Sequence, residues 1–218
     1  MKVIVGTYRA DKDMISRCVD SIKARIAGVD RLIFVDDSGN QDFRNWLYKN
    51  HGEVVAVAPK NVGYSRAMDV VCEVMRSEVD EYFAFWEEDF TAVADTDLNQ
   101  MADELANDPT LAQVVLLRQP WFANEIAKGD VIEAMSERLR SPIVIEQGVH
   151  QKLWVHQMQF SCNPAVWAPM AYRWPWPQCI NSEDAKTRYL VDDDGASFAF
   201  FGNRVRVHHE GERLGKGY

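Results

Sequence analysis

Short apolar runs alternate with helical patterns along the first half of the chain. The runs lie at residues 3–5, 31–35, 53–58 and 82–86, and each has the length of a buried β-strand. Between them, apolar residues recur at three- and four-residue spacing, for example at Met14, Cys18 and Ile22, which is typical of one face of a helix. This alternation predicts an α/β fold with a mostly parallel central sheet and helices on both faces, in three α/β/α layers.

The pattern becomes less regular in the second half. Leu98, Met101 and Leu105 mark one more helix face, and the segment QVVLLRQPW predicts a strand that leads into a loop with proline and tryptophan. Neither a low-complexity linker nor an internal repeat separates the two halves. We therefore expect a single domain over residues 1–218, with a boundary near residue 110 between its halves.

Polar residues follow three of the predicted strands at the point where each strand ends. These tips are Gly6-Thr7-Tyr8-Arg9, Asp36-Asp37 and Glu87-Glu88-Asp89. In parallel sheets, ligands bind beyond the carboxyl ends of the strands. The three carboxylates of the last tip repel one another, and a hard divalent cation such as Mg²⁺ or Mn²⁺ would remove that repulsion. A solvated acidic turn or an ion pair with an arginine is the alternative.

The composition narrows the possible partners and location. A formal charge of −9 disfavours nucleic acid and anionic membranes as partners attracted by the overall field, so an anionic substrate needs local cations. The four cysteines, Cys18, Cys72, Cys162 and Cys179, form no C-x-x-C pair, which favours buried, reduced thiols. No apolar run has the length of a secretory or membrane segment, so we expect a soluble, cytoplasmic protein.

Four motifs occur in a fixed order between residues 3 and 90: VIVGTYR, LIFVDDSG, NVGYSRAMD and FAFWEEDF. Their order and spacing resemble those of GT-A-fold glycosyltransferases of the family 2 type, whose acidic motif is usually D-x-D. The motif reads E-E-D here, so Asp89 matches the metal ligand of the family and Glu87 is a departure from it. The resemblance implies a nucleoside-diphosphate sugar as donor and Mn²⁺ or Mg²⁺ as cofactor.

The resemblance also implies roles for the strand tips. The residues that would hold the donor are Thr7, Tyr8, Arg9, Asp36, Asp37, Arg66, Glu87 and Glu88. Asp36 or Asp37 would accept a hydrogen bond from an N–H group of the base, although either could instead serve the turn itself. Arg66 matches a position that approaches the nucleotide in the family, with an exposed helix charge as the alternative.

The second half would hold the acceptor and the catalytic base. Glu183-Asp184 resembles the x-E-D base motif of the family, in a helix that Ser182 would cap. An inverting transfer needs a carboxylate that takes the proton of the acceptor hydroxyl, and either acid could do so. Acids in a first turn also stabilise helices without any chemistry, so a structural role stays open.

The C-terminal segment VRVHHEGERLGKGY resembles the strand followed by H-x-G of the family, and the resemblance implies that a histidine completes the metal shell. Neighbouring strand residues point to opposite faces, so His208 and His209 do not serve together, and His209 has the spacing of the motif. The tail beyond it, with Arg213 and Lys216, would be a flexible flap that orders over the diphosphate.

Three tryptophans in proline-containing loops, Trp121, Trp174 and Trp176, would stack on a sugar or form an apolar cluster. Taken with the resemblance, the residues predict an inverting, metal-dependent glycosyltransferase that acts on a hydroxyl acceptor. The alternatives are a nucleotidyltransferase on a related fold and a non-catalytic protein that binds sugar nucleotides or glycans. The sequence does not distinguish among a glycan, a protein, a small molecule and a modified base as the acceptor. The negative net charge disfavours nucleic acid.

Overall fold

The computed structural model of the chain describes residues 1–78, 82–139 and 143–211. Its strands are β1 (Lys2–Thr7), β2 (Ile26–Ala27), β3 (Arg31–Asp36), β4 (Glu53–Ala56), β5 (Phe83–Glu87), β6 (Phe90–Ala92), β7 (Thr96–Asp97), β8 (Leu111–Val115), β9 (Val144–Gln147), β10 (Lys152–His156), β11 (Ala165–Trp167), β12 (Ser197–Phe201) and β13 (Val207–His209). Its helices are α1 (Lys12–Arg25), α2 (Gln41–Asn50), α3 (Tyr64–Ser77), α4 (Leu98–Asn107), α5 (Ala123–Lys128), α6 (Val131–Leu139), α7 (Pro169–Tyr172) and α8 (Ser182–Arg188). A π-helical turn, Tyr189–Asp193, directly follows α8.

One sheet carries nine of these strands, in the order β4-β3-β1-β5-β11-β8-β12-β10-β9. The four strands from β4 to β5 are parallel, as the alternation of strand and helix predicts. In the rest of this sheet, β8 and β12 are parallel, and the other neighbouring strands are antiparallel. The prediction of a mostly parallel sheet therefore holds for the first half, and the sheet as a whole is mixed.

Helices cover both faces of the sheet, and strand β1 shows how. Val3 and Val5 pack in a core with α1, whereas Ile4, between them, packs in a second core with α3. Successive side chains of a strand point to opposite faces of the sheet. A strand with consecutive apolar residues is therefore buried only where helices cover both faces. The predicted three-layer α/β/α arrangement is confirmed.

Several local predictions also have clear outcomes. The sequence pattern predicts Ser65 as the cap of α3, but that helix begins at Tyr64 and has Gly63 at its N-cap, without a side-chain hydrogen bond, so the predicted cap is wrong. Three cysteines are buried as expected, but Cys179 is exposed; all four are free thiols. Within the described ranges, no helix combines the length and the apolar character needed to span a membrane.

Candidate active site

The tips of β1, β3 and β5 meet at one edge of the sheet. Thr7 pairs with Asp36 across β1 and β3, and Gly6 pairs with Glu87 across β1 and β5. A cavity of about 380 Å³ opens at this edge. Its lining is Gly6, Thr7, Tyr8, Val35, Asp37, Asn61, Gly63, Tyr64, Ala67, Met68, Val71, Phe85, Glu87 and Asp89. The lining thus combines apolar side chains with polar ones, of which Asp37, Glu87 and Asp89 are acidic.

The buried side chain of Asp36, at the end of β3, forms hydrogen bonds with residues of β1 and α2. Its carboxylate is fully buried and accepts hydrogen bonds from Thr7 Oγ1 at 2.7 Å, Ser38 Oγ at 2.8 Å and Arg44 Nε at 2.7 Å. Arg44 is buried as well, and its other contacts are carbonyl oxygens of Asp36 and Ala58. These contacts place Asp36 behind the cavity wall, where it supports the turn.

Asp37, by contrast, lines the cavity. Its two carboxylate oxygens accept the backbone N–H groups of Val62 and Gly63, each at 3.0 Å. The carboxylate thereby fixes the loop that leads into α3. Each oxygen keeps a second lone pair, with which it can accept a hydrogen bond from a ligand.

Glu88 fixes the turn that follows β1. Its Oε1 accepts the backbone N–H groups of Tyr8 at 3.0 Å and Arg9 at 2.8 Å, while its Oε2 is buried and has no hydrogen-bond partner. The pKa of Glu88 is raised to about 7, chiefly by burial and to a smaller extent by nearby Asp89, while the two backbone hydrogen bonds lower it. Tyr8 itself is about half exposed, and its hydroxyl accepts a hydrogen bond from Arg9 Nε.

Asp89 and His209 form the charged centre of the edge. Asp89 Oδ2 lies 3.3 Å from His209 Nε2 and 3.9 Å from Arg9 Nη2. The other oxygen, Oδ1, is buried without a hydrogen-bond partner. Gly211 packs against this pair so closely that a Cβ there would overlap Asp89 Oδ2 and lie 2.9 Å from His209 Nε2. A carboxylate oxygen without a hydrogen-bond partner is the type of ligand that Mg²⁺ and Mn²⁺ prefer, and the imidazole nitrogen of His209 lies beside the other oxygen of the same carboxylate.

The imidazole of His209 packs against two aromatic rings. Its ring stacks on Phe90 with centroids 4.6 Å apart, and Trp121 packs against it at the same distance. Gln119 makes a reciprocal pair with the His209 backbone, donating to its carbonyl and accepting from its N–H group. His208 lies exposed on the opposite face of the strand. Of the two histidines, the structure thus brings His209 to Asp89.

A buried ion pair supports the loop that carries Trp121. Arg118 and Glu125 are both buried and share two hydrogen bonds, of 2.7 and 2.8 Å. Glu125 also accepts the backbone N–H groups of Trp121 and Phe122. Burial alone would raise the pKa of Glu125, but the Arg118 and backbone hydrogen bonds hold it below the ordinary value. Sequence reasoning missed this pair; RQPWFANE places both charges beside Trp121, but nothing in it indicates that they are buried.

Glu87 and Glu183 approach the cavity from different elements. Glu87 lines the cavity, and its pKa is well above the ordinary value because of burial and because Asp89, Glu183 and Glu88 are nearby. Glu183, in the first turn of α8, accepts a hydrogen bond of 2.9 Å from the hydroxyl of Tyr64. Sequence reasoning missed Tyr64, because its partner lies 119 positions away along the chain.

Ser182 and Asp184, on either side of Glu183 in the chain, differ from it in solvent exposure. Asp184 is exposed to solvent at the outer side of the same helical turn. Ser182 is the first residue of α8 and not its cap; Asn181 holds the cap position without a side-chain hydrogen bond, so the predicted cap is wrong. Both candidate bases thus begin a short helix beside the cavity.

Arg66, Trp174 and Trp176 are not among the residues that line the cavity. Arg66 forms ion pairs with Asp69 and Glu73 along α3 and does not line the cavity. Trp176 is buried and stacks on Trp167, so it belongs to the apolar core. Trp174 is exposed and packs edge-on against Tyr189. The predicted flap with Arg213 and Lys216 lies outside the described residues.

Within the part of the chain that the structure describes, no three His, Cys, Asp or Glu side chains converge on a metal position. Asp89 and His209 would provide two ligands. Because Mg²⁺ is usually bound by one or two carboxylates together with substrate phosphates, a two-residue site is consistent with a cation that arrives with a diphosphate.

Comparison with known proteins gives one family and several similar folds. The model of the family described as glycosyl transferase family 2 matches residues 2–163. The mannosyltransferase PcManGT from Pyrobaculum calidifontis, in complex with GDP-Man and Mn²⁺, is 17% identical with a TM-score of 0.61. TarS 1–349 from S. aureus, in complex with UDP-GlcNAc, is 12% identical with a TM-score of 0.63. The matches cover 99% of this chain in both cases, but only 58% and 59% of those chains.

A third similar structure belongs to another class of enzyme. The CMP:2-keto-3-deoxy-manno-octonic acid synthetase complexed with CTP is 14% identical with a TM-score of 0.54, and the match covers 92% of this chain and 88% of that one. No curated protein sequence matches significantly. The family model and the solved structures confirm the predicted GT-A fold.

Proposed function

Because the chain belongs to glycosyl transferase family 2, we propose that it is an inverting, metal-dependent glycosyltransferase that moves a sugar from a nucleoside diphosphate to a hydroxyl. The observation that carries the proposal is the cavity lined by Asp37 and Asp89, in which Asp89 has an unpartnered Oδ1 and His209 lies beside its other oxygen. The complexes of similar enzymes with GDP-Man and UDP-GlcNAc support a sugar nucleotide as the ligand.

The nucleoside would enter the cavity beside Asp37 and Asn61. A free lone pair of Asp37 would accept an N–H group of the base or a hydroxyl group of the ribose, and the half-exposed Tyr8 ring would offer a flat apolar contact. The diphosphate would lie toward Asp89, near the guanidinium of Arg9. In this proposal, residues 1–110 bind the donor, and residues 111–218 bind the acceptor.

Asp89 and His209 would hold Mn²⁺ or Mg²⁺. The bound cation would supply charge neutralisation of the departing diphosphate, an effect of several kcal/mol in metal-dependent enzymes. The Mn²⁺ complex of the similar mannosyltransferase supports this assignment.

The transfer itself would be a single displacement. Glu183 or Asp184 accepts the proton of the acceptor hydroxyl while the hydroxyl oxygen forms a bond to the anomeric carbon. The bond from that carbon to the diphosphate oxygen breaks on the opposite side, and the nucleoside diphosphate leaves with the electron pair. Both acids lie in the first turn of α8.

A nucleotidyltransferase is the second candidate, because the similar synthetase complexed with CTP matches 92% of this chain. Such an enzyme would consume a nucleoside triphosphate and release pyrophosphate. The products therefore separate the two candidates: release of a nucleoside diphosphate from a sugar nucleotide supports the transferase.

The test begins with calorimetric titration of UDP, GDP and TDP in the presence of Mn²⁺. We expect one of them to bind, and Asp89→Ala to weaken that binding and abolish slow hydrolysis of the matching sugar nucleotide. Asp95→Ala, which removes an exposed carboxylate paired with Arg25, is the control and should behave as the native chain does. Absence of binding would refute the proposal, whereas binding with neither hydrolysis nor transfer would indicate a non-catalytic binder.

A further inference from the structure

Tyr64 connects the donor cavity to the acid pair on α8. Resting on the proposed function, we propose that Tyr64 is a positioning residue: its hydroxyl holds the Glu183 carboxylate in place, and its ring transmits the presence of the donor to α8. The first residue of α3 therefore links the donor half of the site to the acceptor half.

The contacts of Tyr64 fit this role. Its ring lines the cavity together with Glu87, and its hydroxyl donates to Glu183 Oε1 at 2.9 Å. The buried indole of Trp176 packs edge-on against the ring, with centroids 6.3 Å apart. A ligand in the cavity would thus confine the ring against Trp176 and fix the direction in which the hydroxyl points.

Glu183 has a second donor besides Tyr64. The backbone N–H of Cys162 also donates to its carboxylate, and both hydrogen bonds lower the pKa of Glu183 against burial, which raises it more strongly. Two donors from separate elements define the rotamer of the carboxylate and favour its ionised form. Lone pairs remain on both oxygens, so the carboxylate can still accept a further hydrogen bond.

The backbone of Tyr64 depends on a residue of the donor site. Asp37 accepts the N–H groups of Val62 and Gly63, directly before Tyr64. Gly63 has a φ of 93°, in the region that favours glycine, so the chain can turn sharply there into α3. A movement of the Asp37 carboxylate on donor binding would therefore shift the peptide groups of Val62 and Gly63, and with them the backbone of Tyr64.

Tyr64→Phe tests the proposal, because it removes the hydroxyl and keeps the ring. We expect kcat for transfer to fall roughly 10- to 100-fold, within the range for a misplaced catalytic group, while the Kd of the donor stays within about twofold. Tyr189→Phe is the matched control, because Tyr189 packs against Trp174 and does not line the cavity. This control should retain the native kcat. An unchanged kcat in Tyr64→Phe would overturn the proposal.

A double-mutant cycle shows whether Tyr64 acts through Glu183. In a Glu183→Gln background, Tyr64→Phe should have little further effect on kcat; an equal loss in both backgrounds would mean that Tyr64 acts otherwise. Independently of activity, the carboxyl pKa of Glu183, followed by ¹³C NMR, should rise in Tyr64→Phe, and an unchanged value would also refute the contact. A native chain that binds no nucleotide refutes the proposed function, whereas an active native chain with an equally active Tyr64→Phe refutes only the role of Tyr64.

Discussion

Asp36 and Asp37 show how two adjacent carboxylates at one strand tip acquire different roles. The side chain of Asp36 is fully enclosed, with Arg44 as its charged partner, whereas Asp37 lines the cavity. Sequence alone treats them as interchangeable candidates for the nucleotide. Their separation depends on the direction in which each side chain leaves the end of β3, and on a partner in α2 that the motif does not contain.

Asp36→Asn is expected to lower stability far more than it affects donor contacts. The substitution leaves the buried guanidinium of Arg44 without its counter-charge, and breaking a buried pair in this way costs roughly 3–5 kcal/mol. Urea unfolding should therefore show a large loss of the free energy of unfolding. Asp20→Asn, an exposed position on α1, should change it by less than about 0.5 kcal/mol. A stable Asp36→Asn variant that had lost nucleotide binding would instead make Asp36 a donor contact.

Glu88 should make the metal-free protein lose stability as the pH rises. Its pKa is raised from 4.5 to about 7 in the folded state. Between these values the folded state keeps a proton that the unfolded state has released, so the free energy of unfolding falls with increasing pH. The shift corresponds to roughly 3 kcal/mol, fully lost above pH 7. Below pH 4.5 both states are protonated, and the loss is absent.

The measurement compares urea unfolding of the native chain and Glu88→Gln at pH 4.5 and pH 8, with a chelator present. The stability of the variant relative to the native chain should increase between the two values, because glutamine does not titrate. Glu133→Gln, at an exposed position on α6, is the control and should leave the pH dependence unaltered. A constant difference between the native chain and Glu88→Gln would contradict the assignment.

At the scale of elements, the loop between β8 and α5 serves as a support for β13. The ion pair of Arg118 and Glu125 fixes the loop, and the loop presents Gln119 and Trp121 to His209. The ligand histidine of the proposed metal site is thus held by residues of a different segment. If His209 binds the metal, a substitution away from the proposed site should therefore weaken metal binding.

Glu125→Gln should therefore reduce both stability and Mn²⁺ affinity. It removes the carboxylate that pairs with the buried Arg118, at a cost of roughly 3–5 kcal/mol, and releases the loop from its charged anchor. Glu137→Gln, which removes an exposed ion pair with Lys128 between α5 and α6, is the control and should cost less than about 1 kcal/mol. The measurements are urea unfolding and Mn²⁺ titration. Native Mn²⁺ affinity in a destabilised Glu125→Gln would show that the loop does not hold His209 in its binding position.

The elements themselves were largely predictable, and their pairing only in part. Apolar spacing predicted α1 and α3, and the strand tips predicted the functional edge, because both are local patterns. The antiparallel entry of β11 between β5 and β8 leaves no comparable trace in the sequence. The predicted cap of α3 was wrong for the same reason: Asp37, far from α3 in the chain, binds the backbone N–H of Gly63, the residue that takes the cap position in place of Ser65.

At the scale of the whole molecule, the two halves share one sheet and cannot be separated without exposing it. Strand β11 lies between β5 and β8, so the second half supplies the neighbour of the last strand in the first half. Phe83 and Phe85 of β5 are buried, and Phe85 packs against Trp167 of β11. A chain that ended near residue 110 would leave β5 as an open, apolar edge.

We therefore predict that the full chain unfolds in a single cooperative transition and that a fragment of residues 1–110 does not fold. Fluorescence from tryptophans in both halves and far-ultraviolet circular dichroism should give coincident urea transitions for the full chain. The fragment should lack a cooperative transition, because the apolar side chains of β5 would lose their partners in β11 and face water. A fragment that unfolded cooperatively and bound a nucleoside diphosphate would show that the donor half is an independent unit. The expected result would mean that donor and acceptor halves form together, so that Tyr64 and Glu183 reach each other only in the complete sheet.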